Sequence, residues 1–445
     1  MSEMIYAGFS RVDITPEAYV CLSGFGTDSR RLTDTVLDHV TASVLALSDS
    51  EDNTVILCTA DLLNAKFETV VQTARDHIGK ATGVAPERIS IGVVHTHSAP
   101  ATYSREDEDT DIYLDYFGVQ LAKAAAEAMA DRKPAKILIG RHRAENMTFV
   151  RHYKMNDGTL AGACFGSFKS GAKEHLFPAD DQMQLIRFVR EDARDIVIMN
   201  WQCHSTFIGH PEGKILSADY ASPLRDHVEG LTGCHFAFFQ GAAGNQVPRS
   251  RIPERNVVED DYIAYGRRLA EEVVEGLQDM QPVSGGKVDS RQRIYHGEVD
   301  HSYDHMVPVA KMVQEGYSKL GPGQERYDLV HGNGFNSIYH ANQVINRSRH
   351  GAYIDMEIDA FRVGDISFVT APYEMFASNG KYVKENTPFA MTFVMAYCNG
   401  SYSYIPDAAG FTYDCYEHNS CHFYPGTGEK ITENHLEMLR EMQEQ

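Results

Sequence analysis

Six apolar runs of strand length recur along this chain, and each breaks off into a corner carrying chemically capable side chains. Thr54–Ala60 leads to Asp61, Ile89–Val94 to His95 and His97, and Asp195–Trp201 to Cys203 and His204. His235–Phe239 leads to Gln240 and Asn245, Ile366–Ala371 to Glu374, and Phe389–Tyr397 to Asn399. In an open α/β sheet, ligands gather beyond the carboxyl ends of the strands. The pattern therefore predicts an α/β protein whose one site is assembled from all six corners.

Between the runs lie two amphipathic segments. Tyr113–Asp131 spaces Leu114, Phe117, Leu121, Ala124 and Ala128 at helical intervals, and Asp261–Leu277 does the same with Tyr265, Leu269 and Val273. Both are expected to cover a sheet. The 445 residues could form two or three domains. A boundary anywhere between Asp61 and Tyr416 would split the constellation, so the expectation is one domain over 1–445, with mixed β-sheets flanked by helices and a metal site at the strand carboxyl ends. The stretch 283–351, with Gly285-Gly286, Gly321-Pro322-Gly323 and six histidines, reads as an irregular solvated insertion or as a lid. A lid would border the site.

Composition excludes several classes. The net charge of −21 opposes nucleic acid and anionic membrane as partners, and no apolar stretch approaches 18 residues. The first residues show no basic segment followed by an apolar one, so a cytoplasmic location is expected. The eight cysteines form no CxxC pair and read as reduced, buried thiols, although Cys415 and Cys421 could be bridged in an oxidising setting. Composition leaves self-association into a homo-oligomer open.

The chemistry concentrates in Ile89–Pro100. Alternate residues of an extended chain share a face, so His95 and His97 can aim at one point beyond the strand, as metal ligands do. Two polar residues at a loop entrance are an equally ordinary occurrence. His204 adds a third imidazole and Glu374 a carboxylate, although a lone Glu after a strand is more often a helix first-turn residue. Together, two histidines, a carboxylate and an open position are what catalytic zinc requires. Asp61 could orient a ligating imidazole or cap a helix.

The motifs resemble a known family. Gly8-Phe-Ser-Arg-Val-Asp-Ile-Thr-Pro16, His95-Thr-His-Ser-Ala-Pro100, Asn200-Trp-x-x-His204, Phe239-Gln-Gly-Ala-x-Gly-Asn245, Pro372-Tyr-Glu374 and Asn399-Gly-Ser-Tyr-Ser-Tyr404, with Tyr416-Glu417 beyond, occur in the order seen in neutral/alkaline non-lysosomal ceramidases. The resemblance spans nearly the whole chain and corresponds to that family's catalytic domain. It implies zinc held by His95, His204, Glu374 and Tyr404, with His97, Arg151 and Tyr416 beside the attacking water; from their strand-end positions, Asp61, Gln240 and Asn245 are expected one layer behind. Two departures stand out. Where the family has Ser-Pro-Asn this chain reads Val247-Pro248-Arg249, which excludes a serine nucleophile there, and neither a secretion signal nor the β-sandwich domain that follows in full-length ceramidases is recognisable.

The resulting expectation is a zinc-dependent hydrolase of an amide bond in a small, polar N-acyl compound, without stable membrane association. An esterase or lactonase is the nearest alternative, because the same activated water attacks either carbonyl. Two histidines and a carboxylate also describe a mononuclear iron oxygenase, against which a tyrosine ligand counts. A non-catalytic metal-binding or glycan-binding module is the remaining reading.

Overall fold

The structure, a computed structural model, describes residues 4–17, 19–24, 31–103, 108–162, 171–209, 213–258 and 261–444. Alternation along the strands is what layers it. In β1 (Ile5–Asp13), β2 (Thr41–Ser48) and β3 (Thr54–Ala60), one set of side chains, including Ile5, Leu45 and Leu57, enters a core shared with a second sheet. The opposite set, including Val44, Ala46 and Ile56, meets helices. Strands covered on both faces must be apolar at nearly every position, which is why these runs show no polar alternation.

The first sheet continues through β4 (Ile89–Val93), β5 (Lys133–Arg143), β6 (Gln182–Arg190), β7 (Ile196–Trp201) and β8 (His235–Gln240), in the spatial order β8-β7-β6-β5-β1-β2-β3-β4. A short β9 (Gln281–Val283) also pairs with β5. The second sheet has the order β10 (Val288–Glu298), β11 (Tyr353–Val363), β12 (Ile366–Ala371), β13 (Met391–Ala396). Phe361, Phe368 and Phe393 fill the space between the sheets.

Helices α1 (Gln72–Thr82) and α2 (Glu108–Ala130) cover one half of the first sheet's outer face, and α3 (Ala221–Thr232) and α4 (Tyr262–Gly276) the other. The two helices expected from sequence are α2 and α4, and Asp261 caps α4 by accepting from the Ile263 amide. At Gly8 a Cβ would fall 2.0 Å from the Ala128 carbonyl oxygen, so the missing side chain sets how closely α2 lies on β1.

Segment 283–351 is not irregular. After β10 it forms α5 (Val307–Lys319), α6 (Gln324–His331) and α7 (Ile338–Arg347) around a small core of Ala310, Val313, Phe335, Val344 and Ile345. The sequence gives this away only locally, through Pro308 in the first turn of α5 and the Ser337 cap of α7. The outer face of the second sheet carries α8 (Ala377–Asn386) and, beyond the five-residue α9 (Tyr416–Ser420), the long α10 (Thr427–Gln443). Among the described residues no helix is long and apolar enough to cross a membrane, seven cysteines are buried, and Cys415 and Cys421 are not bridged. Cys164 lies outside the described residues.

Within the two large sheets three strand pairs are parallel: β3 with β4, β7 with β8, and β12 with β13. Their carboxyl ends are the six corners singled out from sequence.

Candidate metal centre

His95 follows β4, His204 follows β7 and Glu374 follows β12, and the three meet. Nε2 of His95 and Nε2 of His204 each lie 3.3 Å from Glu374 Oε2. His97 Nε2 is 3.3 Å from His95 Nε2. The loops are fastened to one another by a bridge between Thr96 and Ser205 and by the Ser205 hydroxyl donating to the Val94 carbonyl. The extended-chain argument does not account for the convergence, because β4 ends at Val93 and His95 has φ 61°. A left-handed residue, costly outside glycine, turns the chain so that both rings face inward.

Each buried imidazole is oriented by backbone. His95 Nδ1 lies 2.8 Å from the Leu63 carbonyl, and His204 Nδ1 2.6 Å from the Ala243 carbonyl. A carbonyl can only accept, so Nδ1 carries the proton and each Nε2 turns a lone pair toward Glu374. Burial pushes the His204 imidazole down to about 4, and burial, reinforced by His95 and His204, holds His97 well below its ordinary value. Burial opposes ionisation of Glu374; His95 and His204 hold the carboxyl low only with a proton between them, the place a metal ion would take. These are the protonation states a metal requires of its ligands.

The donor set fits a metal on a second count. Glu374 Oε2 is buried beside those nitrogens and has no hydrogen bond of ordinary geometry. A tetrahedral ion at ~2.0–2.1 Å from its ligands separates them by about 3.3 Å, the spacing found here. The ligand atoms of His95, His97 and His204 all lie within 4.8 Å of one another.

Tyr404 arrives through a two-residue parallel pairing of Glu374–Met375 with Tyr404–Ile405, which brings its hydroxyl to 3.4 Å from His204 Nε2. Arg151 donates from Nη2 to Tyr404 Oη at 3.1 Å and to the Gly244 carbonyl at 2.9 Å. Its Nε meets Glu417 at 2.6 Å, and Glu417 also receives His152 Nε2 at 3.0 Å. Burial alone would raise the Glu417 carboxyl; the Arg151 charge, followed by His152, holds it far below its ordinary value. Tyr416, one residue earlier on α9, sets its ring edge-on to Tyr404 at 5.3 Å.

The surrounding residues need one correction. Asp61 orients no imidazole: it accepts from the Thr41 amide and hydroxyl and from Arg225 Nη2 at 2.6 Å, and the Leu63 carbonyl takes the place expected for it. Gln240 donates to the Cys203 carbonyl, next to His204, and Asn245 accepts from the Ala377 amide at the start of α8. Both brace loops that carry ligands. Sequence reasoning missed Glu417 and Tyr397, whose ring stacks on His95 at 4.0 Å. The Tyr416-Glu417 pair was a signal for the first; Tyr397 was hidden as the apparent last residue of a strand.

Beside Glu374 opens a cavity of ≈450 Å³ whose wall includes Tyr339 and Gln343 of α7, His350, Tyr402 and His422. The helical insertion thus borders the site, and the Tyr339 ring lies 5.2 Å from that of Tyr416.

Solved structures share this architecture. Neutral ceramidase from Pseudomonas aeruginosa superposes with a TM-score of 0.73 at 18% identity, over 100% of this chain and 75% of that one. A ceramidase complexed with C2 gives 0.73 at 17% identity, over 99% and 76%. The chain therefore has the neutral ceramidase fold. No protein-family model and no curated protein matches it in sequence.

Proposed function

We propose that this protein is a zinc-dependent hydrolase that cleaves the amide bond of a small, polar N-acyl compound. The observation that carries the proposal is the meeting of His95 Nε2, His204 Nε2 and Glu374 Oε2 at 3.3 Å, with both imidazoles held in the metal-binding tautomer by carbonyl groups. The likeness of fold to ceramidases, enzymes named for an amide substrate, supports the reaction class. A bound zinc ion would polarise the scissile carbonyl and make water acidic enough to attack near neutral pH.

The chain's own residues supply the rest. His97, uncharged and at the edge of the cluster, takes the proton of the attacking water and returns it to the departing amine. Tyr416 and Arg151 present donors where negative charge develops on the carbonyl oxygen, a contribution of about 3–4 kcal/mol for one well-aimed group, while Tyr404 Oη, which accepts from Arg151 and lies 3.4 Å from His204 Nε2, would be the fourth ligand. The Glu417 carboxylate keeps Arg151 in place. The lining of the cavity favours soluble substrates: only Phe67 and Ile354 in its wall are wholly apolar, whereas a two-tailed lipid needs a long apolar trough.

The test is metal analysis of the purified protein, followed by a screen of N-acyl amino acids, N-acyl sugars, lactones and ceramide. About one zinc per chain and turnover of soluble amides is the expected result. Iron with oxygen-dependent turnover, or the highest kcat/KM on ceramide in micelles, would overturn it.

A further inference from the structure

Tyr339 and Gln343 stand one turn apart on α7, so both face the cavity next to Glu374. Gln343 Oε1 lies 3.0 Å from His422 Nε2, which fixes the amide and leaves its nitrogen to donate. His350 packs against His422 with ring centres 5.3 Å apart. Burial lowers both imidazoles, His422 to about 4, so the wall offers uncharged hydrogen-bonding groups at neutral pH.

Charge points the same way. Lys66 also lines the cavity, but its ammonium lies 5.2 Å from the centre of the Tyr103 ring, and Glu68 and Glu374 share the wall with it. With Glu374 taken up by the metal, Glu68 still balances the Lys66 ammonium, and the wall has no arginine fork for an anion. An apolar group would do no better, since it would cover the Gln343 side-chain nitrogen and leave that donor without a partner, at about 1–3 kcal/mol. Tyr339 and Tyr402 present rings with hydroxyls at their edges, suited to a ligand that is flat on one face and hydroxylated at its rim.

Resting on the amide-hydrolase reading, we propose that this cavity binds the amine half of the substrate, that this half is a neutral, hydroxyl-rich ring of the amino-sugar class, and that Gln343 is a specificity-determining residue. Acyl groups carry no comparable set of hydroxyls, so the hydroxylated half is the amine.

The experiment compares kcat/KM of the zinc-loaded protein on N-acetylglucosamine, N-acetylglycine and N-hexylacetamide, in wild type and in Gln343→Ala. N-acetylglucosamine should lead by about tenfold or more, the discrimination expected when buried polar groups would otherwise lack partners. In Gln343→Ala its KM should rise enough to bring the three within about twofold. A lead for N-acetylglycine, which would implicate Lys66, or for N-hexylacetamide overturns the inference, as do equal losses on all three in the variant. If none of the three is hydrolysed, the amide-hydrolase reading fails by itself and calorimetry decides the cavity: N-acetylglucosamine binding that weakens in Gln343→Ala upholds the site, and no binding overturns it.

Discussion

His97 stands where two roles meet, since 3.3 Å from His95 Nε2 is close enough to share an ion and close enough to hand over a proton. His97→Ala and Tyr416→Phe should each retain zinc while lowering turnover by roughly two to four orders of magnitude, as expected for a lost acid–base group or oxyanion donor. Loss of zinc in His97→Ala, read by elemental analysis, would make it a ligand. His95→Ala and His204→Ala should both release the metal, and full zinc in the double variant would remove the centre as drawn. Much of this cluster was legible in sequence, because His95, His97, His204 and Glu374 each close an apolar run. The partners of those residues were not. The carboxylate of Asp61 is claimed by Arg225, 164 positions away, and the carbonyls that orient the imidazoles have no side-chain signature.

At the scale of elements, α9 is short but brings Tyr416 and Glu417, on consecutive residues, to the centre. Glu417 is ionised far more easily when folded than its ordinary 4.5 would allow, so it contributes stability that is whole above that value and is lost progressively as pH falls below it. Glu417→Gln should therefore be less stable than wild type near neutrality yet lose less on acidification below 4.5, measured by urea unfolding across pH. Equal slopes for the two proteins would show that the carboxylate does not titrate with folding. On β1, Gly8→Ala forces a methyl group against the Ala128 carbonyl and should cost about 1–3 kcal/mol, with α2 displaced outward. Unchanged stability there would mean that α2 moves freely. The insertion was misread because α5, α6 and α7 are short and bury only a few apolar residues each, against a core of their own. Such stripes are hard to tell from loop.

Over the whole molecule, two apolar sheets face each other and helices cover both outer surfaces. The runs of apolar residues announced doubly covered strands, but which strand pairs with which is decided by long-range register that no local pattern encodes. His340, His422 and His435 are each lowered by burial to about 4 from an ordinary 6.5. The unfolded chain therefore binds more protons than the folded one between those values, and stability should fall as pH drops through that window, by up to ~1.4 kcal/mol per pH unit for each histidine. His435→Gln, which loses the buried bond from Nε2 to the Thr370 carbonyl, should show a shallower fall across the window in urea unfolding. A fall as steep as in wild type would place the titration elsewhere.

Because Leu63 and Ala243 orient the two imidazoles through their carbonyl oxygens, the information that aims the centre is stored in the path of the main chain rather than in any inherited side chain. Point mutation at positions 63 and 243 can exchange the residue without deleting the acceptor. Exchange of most side chains around the centre would leave those two acceptors in place, and this chain superposes over its whole length on neutral ceramidase from Pseudomonas aeruginosa at 18% identity.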